Sequence, residues 1–233
     1  MDLGLNSGVD ALRAYEKNLD AITANLANLD VPAYKRQGST THAFDVQMHG
    51  QTHRTLRTQN TTDFTQGNLE PTGNPFDLAL DGDGFFAVET NRGEAYTRNG
   101  RFHVDGQGVL QTADGLPVVW EGARGTINPV GELVTIDDIG AVRQGGAQIG
   151  RLKIVDFARP SALSLDGEGN FHAPRGVEPR PSAAIVHQAT IEASNASSVD
   201  ELVAMIRVQR GFETATSLIK SIDQSYRRLN APR

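Results

Sequence analysis

The stretch from 190 to 233, TIEASNASSVDELVAMIRVQRGFETATSLIKSIDQSYRRLNAPR, decides how the whole chain is read. Met205, Val208, Phe212, Ala215, Ile219, Ile222, Tyr226 and Leu229 recur along it at 3-4-3-4-3-4-3 spacing. That is the heptad rhythm of a narrow apolar stripe packing along a seam. Ser198 stands three residues ahead of Glu201, a pattern that predicts a capping box, each side chain satisfying an orphan backbone N–H at the helix start. The predicted helix is about 30 residues long, or about 46 Å at about 1.5 Å per residue. A lone helix of that length cannot bury its stripe against itself, so it calls for a partner.

The other end of the chain supplies one. Leu12, Tyr15, Leu19, Ile22, Leu26 and Leu29 repeat the rhythm, with Leu5 and Gly8 extending it backwards and Asp10, Glu16, Lys17, Asp20 and Asn25 on other faces. Ser7 followed by Asp10 offers a cap, and Pro32 ends the helix, because the residue before a proline is pushed out of the helical region. Two heptad helices at the termini of a chain whose middle is not helical predict an α+β protein. Its long terminal helices form a coiled-coil-like bundle, as an antiparallel pair or between chains, and a mainly antiparallel β-rich domain is inserted between them. The expected division is 1–33 with 183–233 as a discontinuous helical assembly domain, 34–75 as an extended connector, and 76–182 as the β-rich domain.

Composition narrows the function classes. A chain of 233 residues with 38% hydrophobic content can bury a sizeable core in one or two domains. A net charge of −6 and a pI near 5.5 argue against a general nucleic-acid binder, whose footprint is basic. No window approaches 18 apolar residues, so no membrane insertion is expected. The N-terminus lacks the charged, apolar and small-residue regions of a cleaved secretory signal. Without cysteine the chain has neither disulfides nor thiolate chemistry.

The middle of the chain changes period. Residues 37–74 are polar, and Thr, Gln and Asn dominate 51–62, so an extended connector with a few isolated strands is expected. From Phe76 onwards, short apolar runs are broken by Asp81-Gly82-Asp83-Gly84, Asn91-Arg92-Gly93, Asn99-Gly100, Asp105-Gly106 and Asp114-Gly115. Turn signals at about 8–12-residue intervals are the signature of an antiparallel meander. Asp81–Gly84 and Asp166-Gly167-Glu168-Gly169 are read as hairpin turns rather than calcium loops, since neither has an EF-hand's ligand spacing. His49 and His53 are four apart, but no helix is predicted there and no metalloprotease motif follows. No catalytic, cofactor-binding or metal-ligating set stands out, and no cofactor is expected. The enzyme alternative rests only on scattered acids such as Asp77, Asp83 and Glu94 meeting in space.

Three blocks of residues resemble one family. Asn25-Leu26-Ala27-Asn28 followed by Ala33-Tyr34-Lys35-Arg36 is similar to a signature of the bacterial flagellar rod and hook proteins. So are Gly84-Phe85-Phe86-Ala87-Val88, Tyr96-Thr97-Arg98-Asn99-Gly100-Arg101-Phe102 and Asp105-Gly106-Gln107-Gly108-Val109-Leu110 in the middle. Ile191-Glu192-Ala193-Ser194-Asn195, Glu201–Ile206 and Gln209-Arg210-Gly211-Phe212-Glu213 complete the match at the end. The chain departs from the pattern at Ala33 and Ala189, where the family carries glycine, and at Ala196, where it carries valine. Gly211, inside the predicted helix, costs about 1 kcal/mol relative to alanine.

The resemblance implies a structural subunit of the basal-body rod, of the proximal type in preference to the distal or hook type. It implies export through the flagellar type III apparatus without a cleaved signal, and a place in the periplasm-spanning shaft that transmits torque. The terminal helices would stack around the axis and the β domain would face outward. The partners would be copies of itself, other rod and hook subunits, and the export apparatus. Within that reading the assembly interface comprises Leu12, Leu19, Ile22, Asn25, Leu26, Asn28 and Leu29 at the N-terminal end, with Ser194, Asn195, Met205, Val208, Gln209, Phe212, Ile219, Ile222 and Tyr226 at the C-terminal end. The alternative from another class is a soluble binding module or enzyme on a β scaffold.

Overall fold

A computed structural model describes the backbone of residues 2–48 and 51–229, and the side chains of these apart from 2–7, 43, 45–48, 51–57, 226 and 229. The readings made on Leu5, Tyr226 and Leu229 as side chains, and on the His49–His53 pair, lie outside the described residues, while Ser7 does not cap the first helix, which already begins at Asp2. The fold is α+β, with two helices and a β-rich antiparallel region. The chain forms two compact units: one from residues up to 29, 36–63 and from 196 onward, the other from 30–35 and 64–195.

The first unit holds helix α1 (Asp2–Ala27), strands β1 (Gln37–Met48) and β2 (Gln51–Thr62), and helix α2 (Ser198–Leu229). The observed α2 ends at Leu229, as its stripe predicted, and begins at Ser198, the residue expected to cap it. Its cap differs by one residue: the Ser197 hydroxyl accepts from the Asp200 N–H at 3.4 Å, and Glu201 N–H donates to the Ser197 carbonyl. The Ser198–Glu201 box does not form because the Glu201 carboxylate is buried and paired with Arg36. Helix α1 gives way to turns at Asn28, whose side-chain amide donates to the Ala24 carbonyl at 2.7 Å and satisfies one of the orphan groups at the helix end. Leu29 therefore falls just past the helix.

The segment expected as a connector with isolated strands is one long antiparallel hairpin, in unbroken register from Gln37↔Thr62 to Met48↔Gln51. Its polar composition is no obstacle, because cross-strand polar pairs hold it. Thr41 and Thr58 hydroxyls meet at 3.1 Å, and Thr62 donates to the Gln37 side chain at 3.0 Å. A two-stranded ribbon alone is marginal in water, and this one leans on α1. Lys17 reaches the Thr58 carbonyl, and Ser39 bonds Asn18.

The second unit is a stack of small antiparallel sheets. The largest has six strands in the order 164–165, 171–172, 93–97, 85–90, 154–156 and 180–181. A three-stranded sheet comprises 134–136, 141–144 and 147–151, and two-stranded ribbons pair 78–81 with 185–188, 69–71 with 190–192, and 102–104 with 110–112. The run Phe85-Phe86-Ala87-Val88 is apolar on both faces because its strand is a wall between two cores. Phe86 joins Leu78, Leu80, Phe102, Trp120 and Leu152 on one side. Phe85 and Ala87, pointing the other way by strand alternation, join Tyr96, Phe157 and Phe171. Edge-on ring contacts tie the second core together, Phe85 to Phe171 at 5.5 Å and Tyr96 to Phe157 at 4.8 Å. Asp166–Gly169 links two paired strands and is a hairpin turn. Asp81–Gly84 is not one, since it carries the chain from the strand 78–81 of one sheet to 85–90 of another.

Candidate assembly surfaces

Within the first unit α1 and α2 run antiparallel, each contact lower in one helix matching one higher in the other. A Cβ placed on Gly8 would lie 2.9 Å from Ile219 Cγ1, and one on Gly211 would lie 2.6 Å from the Tyr15 ring. Gly211 therefore leaves no room for a Cβ beside the Tyr15 ring, and the propensity it forfeits in the helix is exchanged for that close ring contact. Leu12, Leu19 and Leu26 are half-buried and Ile22 is buried. On α2, Met205, Val208, Ile219 and Ile222 are half-buried. Phe212 is 44% exposed, so the heptad spacing overstated how far it turns inward, and Gln209, which lies off the stripe, is exposed. Tyr226 belongs to α2 by its backbone, and its side chain lies outside the described residues.

The polar members of the expected interface have partners inside the chain. Asn25 is fully buried; its amide donates to the Gln37 carbonyl and its oxygen accepts from the Gln37 N–H, both at 2.8 Å. One side chain thus fixes where β1 starts against α1. Arg36, one residue before β1, pairs with buried Glu201, clamping that start to the first turn of α2. In the second unit Asn195 donates to both the carbonyl and the hydroxyl of Thr65, at 2.9 and 3.1 Å, and Ser194 beside it is half-buried.

The second unit also holds a charge cluster that spacing did not reveal. The Glu192 carboxylate, 0% exposed, accepts from Lys35 Nζ at 2.6 Å, from Gly67 N–H at 2.9 Å and from Arg98 Nη1 at 3.4 Å. Lys35 also donates to the Thr65 carbonyl, and Arg98 to the carbonyls of Leu80 and Gly82. Burial pulls the Arg98 guanidinium below its usual range, while Glu192, Asp83 and Asp156 pull it back up. Three stretches distant from Glu192 in sequence thus converge on its carboxylate. Both described non-glycine residues with positive φ flank it, Ala33 at 56° and Ala189 at 57°. Ala33 N–H donates to the Glu192 carbonyl at 2.7 Å, and the Ala189 carbonyl accepts from Thr72 and Gly73. These are the two positions where the resembled pattern carries glycine.

Sequence reasoning also missed a second apolar face on α2. Val199, Leu202, Val203 and Ile206 are 67%, 52%, 41% and 50% exposed. Their i, i+3, i+4, i+7 spacing was available as a signal, but the longer heptad stripe overshadowed it. Among the described residues no helix is long and apolar enough to cross a membrane.

Comparison with known proteins finds three family matches in chain order: "Flagella basal body rod protein" at residues 5–35, "Flagellar hook protein FlgE/F/G D1 domain" at 79–144, and "Flagellar basal body rod FlgEFG protein C-terminal" at 187–231. The chain is 32% identical over 227 residues to the flagellar basal-body rod protein FlgF of Caulobacter vibrioides, covering 94% of this chain and 93% of that one. It is 35% identical over 233 residues to FlgF of Salmonella typhimurium, with 91% of each covered. It is 29% identical over 259 residues to the basal-body rod protein FlgG of Bacillus subtilis, covering 94% and 95%.

Proposed function

Because the chain belongs to the family of flagellar basal-body rod proteins, we propose that it is a structural subunit of the rod, built into the axial shaft through its terminal helices. The observation that carries this reading is that α1 and α2, from opposite ends of the sequence, meet as one antiparallel seam. The seam is the unit from which a coiled-coil-like bundle is assembled between subunits. Residues that face outward or sit at its edges, Gln209 and Phe212 among the expected set, are its contacts with neighbours. The half-buried stripe residues, Asn25 and Asn28 shape that surface from within, and Ser194 and Asn195 are assembly contacts carried by the second unit. The unit containing 64–195 is the β-rich outer domain.

The partners in this reading are copies of the chain and other rod and hook subunits. The chain reaches them through the type III export apparatus without a cleaved signal, in the proximal part of the periplasm-spanning rod. Its role is mechanical, with no catalytic step assigned to it. A register slip along the seam exposes apolar surface at roughly 25 cal/mol per Å², which is how packed helices resist torsion.

The test is direct. An epitope-tagged copy should complement motility in a strain lacking the chain and should co-purify with basal bodies stripped of their filaments. A tagged, well-expressed protein that stays out of those basal bodies overturns the reading.

A further inference from the structure

The apolar stripes of α1 and α2 do not by themselves fix how far one helix is slid along the other. Gly8 lies against Ile219 and Tyr15 against Gly211, so positions facing each other across the seam have numbers adding to 226 or 227. That register sets Leu12 opposite Ala215, Leu19 opposite Val208 and Ile22 opposite Met205. Sliding α2 by one heptad, about 10.5 Å at about 1.5 Å per residue, turns its stripe by only about 20°. Leu12 then faces Ile222, Leu19 faces Ala215 and Leu26 faces Val208. Apolar meets apolar in both registers, and only the ends of the seam are uncovered. The ring contact at Gly211 favours the native register, but a tyrosine can turn away from a lost neighbour.

Two buried polar residues break the tie. Asn25 and Glu201, each 0% exposed, face each other by the same count, and successive residues at the start of the hairpin grip them. Gln37 offers its N–H to the Asn25 oxygen and its carbonyl to the Asn25 amide, both at 2.8 Å. Arg36 Nε donates to Glu201 Oε1. The other oxygen, Glu201 Oε2, is buried with no hydrogen-bond partner among the described residues. A carboxylate held in that way is a poor device for stability alone. A buried polar residue in an otherwise apolar helix seam does specify register, because a slip leaves its donors and acceptors unpaired. One heptad in one direction sets Asn25 against Gln209 and carries Glu201 past the end of α1 at Ala27. One heptad in the other sets Glu201 against Leu19.

We propose that Asn25 and Glu201, gripped by Gln37 and Arg36, are the register key of the helix pair. They are positioning residues that select one alignment of α1 on α2 from those the apolar stripes accept. This goes beyond the rod reading, since it concerns the isolated chain, and a subunit of any assembly built on the seam would take its length from the same key.

The chain has no cysteine, so introduced pairs of thiols report the alignment. Leu12→Cys/Ala215→Cys bridges the native register. Leu12→Cys/Ile222→Cys bridges the slipped one, and in the native register its two sites are too far apart for a disulfide. Each pair is placed in the otherwise native chain and in an Asn25→Leu/Glu201→Leu background. Circular dichroism first establishes that helix content is native, and Asn25→Ala/Glu201→Ala replaces that background if it is not. Purified monomers are oxidised mildly and their bridges mapped by peptide mass spectrometry. With the key intact, the 12–215 bridge should form and the 12–222 bridge should not. With the key removed, the 12–222 bridge should appear and the yield of the 12–215 bridge should fall. A 12–222 bridge in the native background overturns the proposal, as does a key-less chain that forms the 12–215 bridge alone, because the register is then held by other parts of the chain. Absence of the 12–215 bridge from the native background overturns the alignment itself. Exclusion from basal bodies would count against the rod reading and leave these outcomes as they stand.

Discussion

Removing the anion at Glu192 should cost more than removing either of its cations, and the structure fixes the order. Lys35, Arg98 and Glu192 are 1%, 4% and 0% exposed as side chains, and together carry a net charge of +1. Lys35→Met leaves Arg98 and Glu192 as a neutral pair, with the Gly67 N–H still donating to the carboxylate. Glu192→Gln leaves two buried cations facing an amide. Breaking a buried pair typically costs about 3–5 kcal/mol, so Lys35→Met belongs near the lower end and Glu192→Gln at or above the upper one. The single tryptophan, Trp120, is 5% exposed in the core of the same unit and reports its unfolding by fluorescence. With a urea slope of about 2 kcal/mol per M, the midpoint should fall by about 1.5 M in Lys35→Met and about 2.5 M in Glu192→Gln. The Lys35→Met/Glu192→Met double variant should lose less than the sum of the single costs, by about 0.5–3 kcal/mol, since neither member is left facing a lost partner. A Glu192→Gln midpoint close to the native one, or Lys35→Met as the more damaging change, would refute the account of Glu192 as the hub.

Three further outcomes are expected. An alanine held at positive φ costs about 1–2 kcal/mol and glycine gives back about 0.4–1 through the unfolded chain. Ala189→Gly should therefore stabilise by about 0.5–1 kcal/mol in thermal melts, while Ala33→Gly, which also loses a nearly buried methyl worth about 0.8 kcal/mol, should be close to neutral. Gly211→Leu should drive a side chain into the Tyr15 ring and destabilise the helix pair by about 1–3 kcal/mol, read as a lower melting temperature at 222 nm. Partial burial pushes the Asp166 carboxyl up, but the Asn170 and Glu168 N–H groups and the His172 ring outweigh it and hold it below its ordinary 3.8. A depressed folded value gives stability that is present above the unfolded value and lost as pH falls. Asp166→Ala should thus cost about 1 kcal/mol at pH 7, with the gap to the native protein closing below about pH 4.

What the sequence conveyed was what periodicity can carry. Two helices with 3-4 spacing and a turn-punctuated middle announce themselves, because burial on one side of a helix or strand writes its period into the chain. Periodicity marked the two terminal stripes as partners but left open whether they pair within one chain or between chains, so the contacts of Gly8 with Ile219 and of Tyr15 with Gly211 were not legible. Nor does it register a face only two turns long, and Val199 to Ile206 went unread for that reason. The hairpin β1–β2 was obscured for a different cause: its pairing is held by polar contacts and by α1, neither of which leaves an apolar signature. Glu192, Lys35 and Arg98 are the clearest case. Each lies in a motif whose resemblance was visible, yet charges 63, 94 and 157 positions apart carry no spacing rule that brings them together. The two alanines show what physical reading adds to resemblance. As letters, Ala33 and Ala189 are departures from a pattern; in the structure they are the two described non-glycine residues with left-handed backbone, each within three positions of a member of the buried ion cluster. The backbone turn persists where the glycine does not, so the turn is imposed by what it delivers, Lys35 to Glu192, and the methyl group is carried there against local preference.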